Sequence, residues 1–187
     1  MYRKIMRYLE AWKNSPHRKP LILQGARQVG KTYAVLEFGR THYDNVAYFN
    51  FETSPRLAQT FAEDISPDYL IPVLSHIAGQ TIVRERTLIV LDEVQLCERA
   101  LTSLKYFCED APEYHIIVAG SLLGVAVNRE AFSFPVGKVD MKTMFPMDME
   151  EFLLAVGEEA LAQRIHAWVI ELGGAPVVRQ RRRADDA

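Results

Sequence analysis

Cysteine is nearly absent from this chain: Cys97 and Cys108 are the two it has, with no C-x-x-C spacing and no clustered histidines. That scarcity excludes a disulfide scaffold and a thiolate metal site, and it fits reduced residues in a cytosolic protein. No apolar run approaches the roughly 20 residues of a membrane-spanning helix, and Met1 to Lys4 opens no secretory hydrophobic segment. A cytoplasmic protein without membrane association is the expectation. Charge of one sign is also missing. The net charge is −2, so no global field draws in nucleic acid or an anionic membrane. Internal repeats are absent as well. What remains is ordinary globular material, 49% hydrophobic and 25% charged, and 187 residues make one domain with room for a small appendage.

The most informative segment is Gly25-Ala26-Arg27-Gln28-Val29-Gly30-Lys31-Thr32, a complete G-x-x-x-x-G-K-S/T loop. A chance match in a chain of this size has odds of roughly one per cent or less at average residue usage. Pro20 to Gln24 before it is an apolar stretch of strand length, and Tyr33, Leu36 and Arg40 after it recur at helical spacing. A strand feeding a Gly-rich turn that opens a helix aims backbone N–H groups and the positive helix end at one spot. Residues Gly25 to Tyr33 are therefore expected to bind a nucleotide. Lys31 would reach the β- and γ-phosphates, and the Thr32 hydroxyl would ligate Mg²⁺.

Residues 86 to 93 read Arg-Thr-Leu-Ile-Val-Leu-Asp-Glu, a buried-strand pattern ending in Asp92-Glu93. Asp92 is expected to hold Mg²⁺ through water, as a Walker-B aspartate does, and Glu93 to polarise the attacking water as a general base. The alternative is that this acidic pair caps the following helix. A further buried run, Tyr114 to Gly120, ends at Ser121. If that strand lies between the other two, Ser121 sits near the γ-phosphate; otherwise Gly120-Ser121 is a common turn pair.

The remaining pattern alternates strands with helices. Residues 2–13 carry Ile5, Tyr8, Leu9 and Trp12 on one face, with Arg3, Lys4, Arg7 and Glu10 elsewhere. A second strand is expected over residues 45–51, broken by Glu52 to Pro55. A helix starts at Ser66-Pro67 and runs to Gly79, with Pro72 in its interior as a point of kinking. Another spans Glu98 to Asp110, a fifth strand falls around Val136 to Thr143, and a terminal helical segment runs from Pro146 past Gly157 to about Leu172. This order predicts an α/β fold with a parallel sheet and helices on both faces. The tail, Gly173 to Ala187, holds a turn and then four arginines between Arg179 and Arg183. A solvated end is favoured there over a nucleic-acid contact.

Arg18 to Thr32, Tyr48-Phe-Asn-Phe-Glu52, Leu91-Asp-Glu-Val-Gln95, Ala119-Gly-Ser-Leu-Leu123 and Met144 to Phe152 together resemble a family of bacterial and archaeal AAA-type ATPases. The resemblance implies a P-loop NTPase sheet with an additional strand between the Walker-A and Walker-B strands. It also implies a catalytic glutamate after the Walker-B aspartate, and a sensor-type polar residue at Ser121. It divides the chain into an ATP-binding domain over 1–155 and a helical extension with a basic tail over 156–187. Family members continue into a second domain, of which Gly173-Gly174-Ala175-Pro176 resembles a fragment. Where the family commonly has Gly-Arg, this chain has Gly137-Lys138. Lysine lacks the planar guanidinium fork, and Arg129 is only a weak substitute.

These features converge on a Mg²⁺-dependent ATPase. Its catalytic set is Lys31, Glu93 and Ser121, its metal ligands are Thr32 and Asp92, and its cofactors are ATP and Mg²⁺. Turnover is expected to be slow in isolation and coupled to a partner. That partner, whether a second copy, another protein or a nucleic acid, is left open. The competing reading is a nucleotide-gated binding module with little turnover. A small-molecule phosphotransferase would need an Arg-rich lid motif, and a GTPase would need Asn-Lys-x-Asp; neither motif occurs.

Overall fold

The computed structural model describes residues 3–120 and 135–171. Its centre is a five-stranded sheet formed by β1 (Leu21–Gln24), β2 (Asn45–Asn50), β3 (Thr87–Asp92), β4 (His115–Gly120) and β5 (Asp140–Thr143). The order across the sheet is β2-β3-β4-β1-β5, and every pairing is parallel. β4 lies between β1 and β3, so the additional strand stands where the resemblance placed it. This is the α/β sheet of a P-loop NTPase.

Both faces of the sheet are covered, which is why its central strands read as continuous apolar runs. In β3 the side chains alternate between two cores. Leu88 and Val90 join Leu21, Leu23 and Ile117 beneath α1 (Ile5–Lys13) and α2 (Lys31–His42). Ile89 and Leu91 join Ile22, Ile116 and Val118 against α3 (Pro55–Glu63), α4 (Pro67–Ala78) and α5 (Glu98–Asp110). Phe38, Phe61 and Phe107 are fully enclosed. Truncating any of them to Ala would cost about 3–5 kcal/mol, because a rigid core collapses only partly around the hole.

Several elements differ from expectation. α3 was not anticipated, since Glu52 to Pro55 reads as a break. Pro55 instead opens the helix, where its missing N–H costs nothing, and Leu57 and Phe61, one turn apart, are buried. Pro72 lies within α4, and the helix continues through it. β5 begins only at Asp140, because Pro135 to Lys138 closes as a turn, Lys138 N–H donating to Pro135 O at 3.1 Å. Arg3 precedes α1, so its helical-wheel position has no meaning; it is buried, with 5% of its surface exposed.

Residues Arg3–Pro146 form one compact unit, and Met147 begins a second. Within the second, α6 (Met149–Ala155) and α7 (Glu159–Glu171) pack together. Asp148 starts α6 with a capping box: its carboxylate accepts the Glu151 N–H at 2.9 Å, and its own N–H donates to the Glu151 carboxylate. The single helical segment expected there is two helices. Gly157 takes φ 86 between them, which an L side chain adopts only under strain. Among the described residues no helix is long and apolar enough to cross a membrane.

Candidate functional site

Because all strands run the same way, the C-terminal ends of β1, β3 and β4 meet along one edge, where open α/β sheets receive ligands. β1 delivers Gly25 to Gly30, β3 delivers Asp92 and then Glu93, and β4 delivers Gly120. The hinge of the loop is Gly25. A Cβ built there would lie 2.2 Å from the Met144 carbonyl oxygen, so no other residue passes this close to the chain leaving β5. Gln28 and Gly30 both take positive φ, 63° and 91°. A non-glycine residue held in that region needs surroundings that over-determine it. Arg3 supplies part of them from below, donating to the carbonyl oxygens of Val29 and Phe145 at 2.9 Å each.

Lys31 is buried at the start of α2, and its Nζ donates to the carbonyls of Gly25 and Ala26 at 2.9 and 2.8 Å. Burial pushes the ammonium below the usual lysine range, while the charges of Glu93 and Asp92 pull it back up. Beside it, the Thr32 hydroxyl donates to Asp92 Oδ2 at 2.8 Å, joining two motifs 60 residues apart. Asp92 is 3% exposed. Its Oδ2 also accepts the Tyr48 hydroxyl at 2.9 Å, and its Oδ1 accepts the Glu93 N–H at 2.9 Å. Burial raises the Tyr48 phenol above its ordinary pKa; the Asn50 hydrogen bond opposes this and Asp92 reinforces it.

Glu93 follows in the left-handed region, φ 52°, and a short 3-10 turn, Val94–Leu96, begins after it. Its carboxylate makes no capping bond to that turn; it accepts instead from the side-chain amide of Gln95. A cavity of about 390 Å³ opens over these groups, lined by Arg27, Gln28, Gly30, Lys31, Thr32, Tyr33, Glu52 and Glu93. That volume lies within the usual range for small-molecule sites, about 300–1,000 Å³. Gly25, Ala26, Val29 and Asp92 form its supports rather than its wall. Ser121 and Arg129 lie outside the described residues, as does the arginine-rich tail.

Lys138 is brought nowhere near the cavity. It precedes β5 and so lies at the N-terminal ends of the strands, where Asp140 N–H donates to Pro20 O. Its ammonium pairs with Glu109 at 2.8 Å. Four strand residues separate that end from the loop, roughly 13 Å at about 3.3 Å per residue. Three residues that sequence reasoning passed over stand at the site: Arg3, Tyr48 and Glu52. Tyr48 and Asn50 share one face of β2, and the strand register, which local spacing does not show, sets Asn50 level with Asp92 and Tyr48 beside Val90.

Among the described residues no group of three or more His, Cys, Asp or Glu side chains could hold a metal by itself. The donors at hand are the Thr32 hydroxyl and the Asp92 carboxylate, sparse hard oxygens beside a cavity. That set fits Mg²⁺, which keeps most of its waters and takes its other ligands from phosphate.

Loop, acidic strand end and intervening strand define a nucleotide-binding P-loop domain. The sequence profile of the AAA domain family matches residues 17–153, and the chain belongs to that family. No curated protein matches it. Among solved structures, Cdc6p from Pyrobaculum aerophilum aligns with a TM-score of 0.50 at 15% identity, over 85% of this chain and 49% of that one. The Orc1 protein of Aeropyrum pernix, determined in complex with DNA, aligns with a TM-score of 0.47 at 17% identity, over 86% and 48%. The chain thus spans about half the length of these structures, and at 15% identity the likeness to Cdc6p concerns the fold alone.

Proposed function

We propose that this chain binds ATP with Mg²⁺ at the cavity over Gly25–Thr32 and hydrolyses it. The observation that carries the proposal is the Thr32–Asp92 hydrogen bond of 2.8 Å, which sets a hydroxyl lining the cavity against the buried Walker-B carboxylate. When bound, Mg²⁺ supplies charge neutralisation on the β- and γ-phosphates, and Thr32 and Asp92 are the residues that would hold it. Lys31 is the buried cation of the loop. Its two bonds to Gly25 and Ala26 are to neutral carbonyls, and a phosphate oxygen is the stronger acceptor. Glu93 orients the attacking water and accepts its proton, once its carboxylate leaves the Gln95 amide.

Hydrolysis by the isolated chain is slow in this proposal. Lys138, at the position where related sequences commonly carry arginine, is engaged by Glu109 at the opposite end of the strands. The charge that completes the transition state then comes from a second copy or another partner. The same observation favours a second reading, in which ATP orders a surface for a protein or nucleic-acid partner with little turnover. Phosphate release measured with and without added DNA or RNA, alongside nucleotide binding by a fluorescent ATP analogue, separates the two. Mg²⁺-dependent release that depends on Glu93 supports the ATPase. Tight binding with no release under any condition supports the gated module.

A further inference from the structure

We infer that Tyr48 is a positioning residue for the cation: its phenol holds the Asp92 carboxylate in the orientation that takes Mg²⁺, and Asn50 holds the phenol. The inference rests on the proposal that Thr32 and Asp92 are the protein's ligands to that ion.

Tyr48 and Asn50 are two apart on β2, so they project from one face of the strand. The parallel register sets Asn50 beside Asp92 and Tyr48 beside Val90. Asn50 Oδ1 accepts the N–H groups of Glu52 and Thr53 at 2.8 and 3.1 Å, which fixes which amide atom faces Tyr48. Asn50 Nδ2 then donates to the Tyr48 oxygen at 3.2 Å, and the phenol's one proton is left for Asp92 Oδ2 at 2.9 Å. The relay runs from the turn that presents Glu52 at the cavity to the carboxylate beneath Thr32.

Asp92 is almost wholly buried, so bulk water does not orient it; its three donors do, and Tyr48 is the one contributed by neither motif. A hydroxyl donor aims a ligating carboxylate without adding charge. Outer partners of this kind are typically worth about 10- to 100-fold in metal affinity.

The test uses the full chain and Tyr48→Phe, which keeps the ring and removes the donor. The affinity of a fluorescent ATP analogue is measured in EDTA, followed by the Mg²⁺ concentration for half-maximal enhancement. Mn²⁺ binding to the nucleotide-loaded protein is read directly by electron paramagnetic resonance. The expected result is a rise of about 10-fold or more in the Mg²⁺ midpoint and the Mn²⁺ dissociation constant, with affinity in EDTA unchanged. Unchanged metal constants, in a background where Asp92→Asn abolishes the metal effect, would overturn the inference. So would an equal loss of affinity with and without metal, which marks a merely structural role. If Asp92→Asn itself leaves the Mg²⁺ midpoint where it was, the cation proposal fails, and the Tyr48 inference with it. Asn50→Ala leaves the phenol in place and is expected to raise the midpoint by a smaller factor. It decides the question by the same criteria should Tyr48→Phe melt below the assay temperature.

Discussion

The Lys31 ammonium donates to the carbonyl of Gly25 at 2.9 Å and so ties the end of the phosphate loop back to its beginning. A buried cation resting on neutral acceptors is poised for an anionic one. Lys31→Ala is expected to weaken ATP binding by about 3 kcal/mol, on the order of 100-fold in Kd, through loss of a charge-assisted contact. Titration calorimetry with ATP and Mg²⁺ checks this. A mutant that binds as well as the wild type would move the nucleotide elsewhere.

Glu93 occupies a strained backbone position at the end of β3, with its carboxylate free of any capping role. Glu93→Gln keeps the shape and the acceptor for Gln95 but loses the base. Binding of ATP and Mg²⁺ should persist while single-turnover hydrolysis drops by about 10²–10⁴. Unchanged turnover would return Glu93 to a structural role at the strand end.

Lys138 stands at the far end of the sheet, held by Glu109. Lys138→Ala should therefore leave the basal rate of a dilute sample unaltered. The wild-type rate per chain should rise with protein concentration or on adding a partner, since an arginine supplied from outside is worth roughly 10³–10⁵ in such reactions. A proven monomer turning over faster than about 1 s⁻¹ at every concentration contradicts this.

His115 is buried at the start of β4, with Tyr43 hydroxyl 2.7 Å from its Nδ1 and Trp12 packed edge-on. Burial, and then the charges of Arg18 and Lys13, lower its pKa from 6.5 to about 4. Between those values the unfolded chain binds the extra proton and the folded chain does not. Stability is accordingly complete above pH 6.5, declines as pH falls toward 4, and the loss from this group levels off below. The decline amounts to about 3 kcal/mol at most. Urea midpoints at pH 7 and pH 4.5 should differ less in His115→Gln than in the wild type. An equal difference in both would assign the acid sensitivity to carboxylates.

The phosphate loop and the Asp92-Glu93 pair were legible in the sequence because each is a local device. Its chemistry needs fixed residue types at fixed spacing, and an apolar run of strand length on one side shows where it is mounted. The parallel sheet followed from the alternation of strands and helices, and the coverage of both faces from the apolar runs in β3 and β4. Short amphipathic α3 escaped because its opening proline reads equally well as a break. The split at Gly157 escaped because helical spacing on its two sides is nearly continuous. The family resemblance already implied the strand that separates β1 from β3, whereas tertiary structure alone decided that Arg3 turns inward under Val29, that Tyr48 reaches Asp92 from a neighbouring strand, and that Lys138 lies at the wrong end to serve this cavity. Each of these depends on which strands pair and in which register, and that is set by the faces helices bury across the whole sheet, at sequence separations where local spacing carries no signal.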